Sequence, residues 1–155
     1  MFRLSRLLRF AAPEGVKNRL LLTLSSPSES IYLQQPIDSV TVPGIEGAFT
    51  LTNNHSQTVS MLGPGVVTVR VSPNDKKDYF LSDGFVFFSA PSDESGCCAA
   101  EVVGVEVVPT DALDKDKAAQ VMADLLAAPK DTDWDKTKAL LGQTLCANII
   151  KAASV

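Results

Sequence analysis

From Val40 to Val71 apolar residues alternate with polar ones, and turn-forming residues break the alternation at set points. Val40 and Val42 share one face before Pro43-Gly44 turns the chain. Phe49 and Leu51 alternate again, Gly63-Pro64-Gly65 makes a second turn, and Val67, Val69 and Val71 alternate once more. A period of two puts every second side chain on the same face. The run therefore reads as three short strands with one buried side, and prolines and glycines at these points leave no room for a helix. The same texture extends from Arg19 to Val108. Leu20, Leu22 and Leu24 alternate, Ile31, Leu33 and Ile37 follow, and Ser82-Asp83-Gly84 separates Tyr79-Phe80-Leu81 from Phe85–Phe88. Val102–Val108 reads as a last strand broken at Gly104. Short strands at spacings of roughly 8–12 residues predict a sandwich or barrel.

Pro109 ends this pattern, and Ala, Leu, Lys and Asp take over. Thr110 or Asp111 is the expected helix cap, with Asp114 in the first turn. Leu113, Ala118, Val121, Met122, Leu125 and Leu126 recur at helical spacing until Pro129. Asp131-Thr132-Asp133 restarts a helix whose stripe is Leu140, Leu141, Leu145, Ile149 and Ile150. The predicted fold class is α+β: an antiparallel β-sandwich over 18–108, then a two-helix antiparallel hairpin over 109–155.

Residues 1–17 form a third unit. Arg3, Arg6 and Arg9 stand among Phe2, Leu4, Leu7, Leu8 and Phe10, with no acid before Glu14. This is the composition of a mitochondrial targeting segment, with cleavage expected near Phe10-Ala11. The alternative is a basic arm kept on the mature protein. The net charge of −4 and the lack of a basic stripe in the body argue against a nucleic-acid surface. No apolar stretch approaches the roughly 18 residues needed to span a bilayer.

Candidate chemistry is sparse. His55 is the only histidine, and no partner for catalysis or metal binding is apparent near it, so a turn histidine bonded to its neighbours is expected. Cys97 and Cys98 are adjacent, which suits neither an unstrained disulfide nor Cys-x-x-Cys zinc spacing, and Cys146 falls in a helical stripe. Asp131, Asp133 and Asp135 mimic a calcium loop, but Lys136 and Gly142 stand where it needs Gly and Glu. They suit a helix N-terminus instead. Phosphate-loop, nucleophile-elbow and zinc-protease motifs are missing. The expectation is no catalytic residue, no cofactor and no metal.

The run Val40–Arg70, with Pro43-Gly44-Ile45-Glu46-Gly47-Ala48-Phe49, Asn54-His55 and Leu62-Gly63-Pro64-Gly65-Val66, resembles the signature of the central-stalk subunit of rotary F-type ATP synthases, called delta in mitochondria and epsilon in bacteria and plastids. Tyr79–Val86 resembles that family's Phe-x-Val-Ser-Gly-Gly-Phe-x strand pair, with Asp83 where Gly is usual. Asn53-Asn54 replace its Pro-Gly, Ser56-Gln57 its Ala-Pro, and Ala48 a frequent acid. The resemblance implies a non-catalytic rotor subunit that helps couple proton translocation to ATP synthesis. The implied partners are the gamma subunit, the proton-driven c-ring and the small mitochondrial epsilon subunit. The implied location is the matrix side of the mitochondrial inner membrane, peripheral through the ring. It also implies that the turns carrying Glu46, Gly47 and His55 share the end of the sandwich that meets the ring's polar loops. ATP binding, known in bacterial members through an Arg-containing hairpin, is not carried over, because no Arg follows Arg70. The rival readings are a stand-alone sandwich adaptor with a helical tail and a small hydrolase built on His55.

Overall fold

The computed structural model describes residues 15–91, 94–129 and 131–154. The targeting reading of 1–17 thus lies almost wholly outside the described residues. Ten strands come first: β1 Leu20–Ser25, β2 Ser30–Ile37, β3 Ser39–Gly44, β4 Gly47–Thr52, β5 Thr58–Leu62, β6 Gly65–Ser72, β7 Asp75–Leu81, β8 Gly84–Ser89, β9 Cys98–Gly104 and β10 Val107–Pro109. A single 3-10 turn, Thr110–Ala112, leads to α1 Lys115–Ala127 and α2 Asp133–Ala152. The signature run holds four strands, not three. The strand missed by sequence is β5, whose Val59 and Met61 point outward while Leu62 is buried.

The strands follow the order β10-β7-β6-β3-β5-β8-β9-β1-β2, with β4 on the other edge of β3. β3 is the fold line. Its Ser39, Val40 and Thr41 pair with β6, whereas Gly44 pairs with Leu62 of β5. Beyond that residue the sheet turns over, bringing β2 across from β6. Leu20, Leu22 and Leu24, Val40 and Val42, Val67 and Val69, and Val86 and Val102 meet in one core. Each such side chain contributes roughly 1.5–3 kcal/mol when fully buried. Tyr32 of β2 and Tyr79 of β7 close the layers, with hydroxyls 3.1 Å apart and rings edge to face. Burial, then the bond to Tyr79, pushes the Tyr32 hydroxyl well above the ordinary phenol value.

One feature departs from the antiparallel expectation. β1 lies parallel to β9, Leu20 opposite Cys98 and Ser25 opposite Val103, while the other pairings are antiparallel. Hydrophobic alternation sets which face a strand buries and is silent on direction. Leu33 is exposed rather than a core residue, because Gln34 takes a left-handed φ of 49° and shifts the phase of β2. Asp83 needs no left-handed backbone, since it is absent from the positive-φ positions among the described residues.

At the helices the cap is Asp114 itself, which accepts a hydrogen bond from Lys117 N, in place of the expected Thr110 or Asp111. Thr132 caps α2 through a reciprocal box with Asp135. The helices pack on each other, and α2 lies on β6. Phe80 is buried yet alternates with the core residues Tyr79 and Leu81, so it sits on the outer side of β7.

Candidate partner interface

The ends of the sandwich differ in construction. At one end Ile45 N donates to Met61 O, Gly63 N to Pro43 O, Ser82 N to Glu106 O and Val105 N to Asp83 O. These bonds join the β3–β4 turn to the β5–β6 turn, and the β7–β8 turn to the β9–β10 turn. Behind these turns Gly44, Leu62, Gly84 and Gly104 form a row across four strands. A Cβ on Gly84 would collide with the Val103 carbonyl, and one on Gly104 would lie 2.5 Å from Val107 Cγ2. The sheet folds here because backbones approach closely. Glu46 and Gly47 sit at this end, both exposed. Gly47 holds φ 136°, a conformation suited to glycine, with open space where a Cβ would stand.

His55 lies at the opposite end. β3 and β4 pair from Gly44↔Gly47 to Ser39↔Thr52, so the turn after Thr52 is separated from Glu46 by the length of β4, about 17 Å at strand rise. The structure therefore brings Glu46 and Gly47 together and does not bring His55 to them. A single strand between two turns must place them at opposite ends, which the sequence reading overlooked. His55 Nδ1 is 3.0 Å from the Ser56 carbonyl, which accepts in the Nδ1-protonated tautomer. Its ring meets the Phe88 edge at 5.5 Å. It is a turn histidine, and among the described residues no group of three or more His, Cys, Asp or Glu is placed to hold a metal ion.

This far end has its own brace. Asn53 Nδ2 donates to Gly96 O at 3.0 Å, and Cys98 N donates to Asn53 Oδ1 at 2.9 Å. The amide thus acts like a strand partner for the 96–98 loop. Asn54, at φ 69°, donates its backbone N–H to Cys98 Sγ. Asn18 N donates to Ser95 O, and Arg19 reaches the carbonyls of Ile37 and Val71 while pairing with Asp38.

Among the described residues two apolar surfaces stand open. One is the outer face of β5, β8 and β9, carrying Val59, Met61, Phe85, Phe87 and Val103. Its rows are Met61–Phe85–Val103 and Val59–Phe87–Glu101. The other is the hairpin, where Leu126, Trp134, Leu140 and Leu141 are exposed. Between α1 and α2 runs a largely apolar groove of about 320 Å³ lined by Ala118, Val121, Leu145, Cys146 and Ile149, together with Asp114 and Lys117. Nothing in the alternation marked these residues as outward facing, because apolar side chains on both faces of a strand read like a buried strand.

The beta-sandwich domain of the ATP synthase delta/epsilon chain matches residues 19–92. The chain is 31% identical over 134 residues to the mitochondrial ATP synthase F(1) complex subunit delta of Dictyostelium discoideum, covering 85% of this chain and 75% of that one. It is 31% identical over 127 residues to the mitochondrial ATP synthase subunit delta of Yarrowia lipolytica, covering 79% and 78%. Similarity to the mitochondrial subunit delta' of Pisum sativum is 32% over 133 residues, covering 84% of this chain and 64% of that one. In fold it is similar to a chain of the Euglena gracilis mitochondrial ATP synthase, with TM-score 0.76, 24% identity and 94% and 91% of the two chains covered.

Proposed function

Because this chain belongs to the ATP synthase delta/epsilon subunit family, we propose that it is the non-catalytic central-stalk subunit of a mitochondrial F-type ATP synthase, linking the gamma subunit to the c-ring. The observation that carries this reading is the pairing of a braced sandwich with two open apolar surfaces. A closed, packed sandwich is stiff. Contiguous exposed apolar faces mark surfaces that other chains cover. A part that transmits rotation needs both. The stand-alone adaptor accounts for the apolar faces but leaves the family unexplained, and the hydrolase needs His55 bonded to a nucleophile, whereas its Nδ1 faces the Ser56 carbonyl.

In this reading the Glu46–Gly47 end meets the polar loops of the ring, on the matrix side of the inner membrane. The outer face of β5, β8 and β9 docks on gamma, and the hairpin groove takes the small epsilon subunit. His55, at the far end, makes no ring contact. ATP hydrolysis belongs to other subunits, and the hairpin, with no Arg, holds no nucleotide. Capture of the tagged chain from mitochondria, followed by cross-linking from single cysteines, tests this. A cysteine at Ile45 is expected to cross-link to the ring, and one at Ser56 is not. Capture without other synthase subunits overturns the function, and ring cross-links from Ser56 alone overturn the pose.

A further inference from the structure

We propose that the outer face of β5, β8 and β9 is built for a partner surface that is apolar at its centre and presents one lysine or arginine to Glu101. The proposal rests on the reading that this face docks on gamma. Val59 is 68% exposed, Met61 54%, Phe85 46%, Phe87 41% and Val103 43%. Together they offer roughly 500 Å² of apolar surface, near the top of the range for the largest patch on a monomer. Phe85 and Phe87 stack with ring centroids 6.4 Å apart.

Glu101 interrupts this apolar field. It lies opposite Phe87 on β8 and Thr23 on β1, exposed, and makes no ion pair among the described residues. Among the described residues, the strands around it carry no cation. No lysine or arginine occurs between Arg19 and Arg70 or between Lys77 and Lys115. Strands β1 to β5 and β8 to β10 are therefore free of them, and the sandwich cations Arg70, Lys76 and Lys77 stand on β6 and β7. Any surface covering Phe87 covers Glu101 as well, and a carboxylate taken out of water without a cation is strongly unfavourable.

The charge also selects the occupant. A second copy docked face to face would offer Glu101 no lysine or arginine, because β5, β8 and β9 carry none. An anionic membrane surface would repel the same carboxylate. A different protein chain, apolar at its centre with a cation beside it, satisfies both the patch and Glu101.

The test uses this chain and its gamma subunit, purified, with Kd measured by calorimetry from 50 mM to 500 mM salt. Glu101→Gln is expected to weaken binding at least tenfold and to flatten the salt dependence; Glu101→Lys is expected to weaken it at least a hundredfold. Phe87→Ser tests the face itself. If Phe87→Ser binds like the parent, the face is not the gamma interface and this proposal falls with that assignment. If Phe87→Ser loses binding while Glu101→Gln keeps the parental Kd and salt slope, the face docks but the charge pairing is wrong. Both sites are exposed, so unchanged melting curves identify the effects as interfacial.

Discussion

Replacing Asn53 by Ala removes two bonds at once. Its amide donates to Gly96 O at 3.0 Å and accepts from Cys98 N at 2.9 Å, in a partly buried setting. Each bond contributes about 1 kcal/mol net, and a buried group left without a partner costs about 1–3 kcal/mol more. Cys98 is almost fully buried, so its N–H has little access to water; Gly96 sits in a loop where water reaches the freed carbonyl. The expected loss is about 2–3 kcal/mol, which at this chain length lowers Tm by roughly 5–10 °C. Asn53→Asp keeps the acceptor for Cys98 N but sets a carboxylate against the Gly96 carbonyl. At neutral pH it is expected to be no more stable than the Ala variant. Circular dichroism melts of the full chain measure the loss, and amide exchange at Cys98 locates it. A Tm within 2 °C of the parent for Asn53→Ala, with exchange at Cys98 unchanged, refutes the clamp.

Gly84→Ala sets a methyl group against the Val103 backbone carbonyl, which cannot move without opening the sheet, and is expected to cost about 1–3 kcal/mol; Gly63→Ala meets nothing within 4 Å and is the neutral control, both read from chemical denaturation. At Asp78 burial raises the carboxyl, but hydrogen bonds from Lys76 and Thr68 and the Lys76 charge outweigh it and hold the carboxyl below its ordinary 3.8. A lowered folded-state pKa means stability present above pH 3.8 and lost as pH falls below it. Asp78→Asn is therefore expected to flatten the acid limb of a stability profile below pH 4; an unchanged limb refutes this role.

Much of the fold was legible because burial alternates with sequence in most strands. Val40, Val42, Val67 and Val69 are core residues, as their spacing required, and the change of period at Pro109 marks where strands give way to helices. Sequence failed where an apolar side chain faces outward instead of into the core. Val59, Met61, Phe85 and Phe87 are apolar and outward, so β5 lost its alternation. Leu140 and Leu141 extend the helical stripe beyond what the hairpin buries. The candidate site was half legible. Glu46 and Gly47 sit together at one end, whereas the single strand β4 between the two turns puts His55 at the other. Asn53 was read as a turn former, and its clamp on the 96–98 loop needed a contact far along the chain.

The parallel pairing of β1 with β9 also dictates the order in which this molecule can assemble. On the described chain β1 is the first strand, and β9, which pairs along its full length, arrives only after eight others have been laid down. Until then β1 has β2 alone beside it, and a lone hairpin is marginal in water. Leu20, Leu21, Leu22 and Leu24 must wait, apolar and without their second neighbour, until β9 arrives. Long-range closure of this kind is slow, and the interval exposes a segment prone to association with other chains.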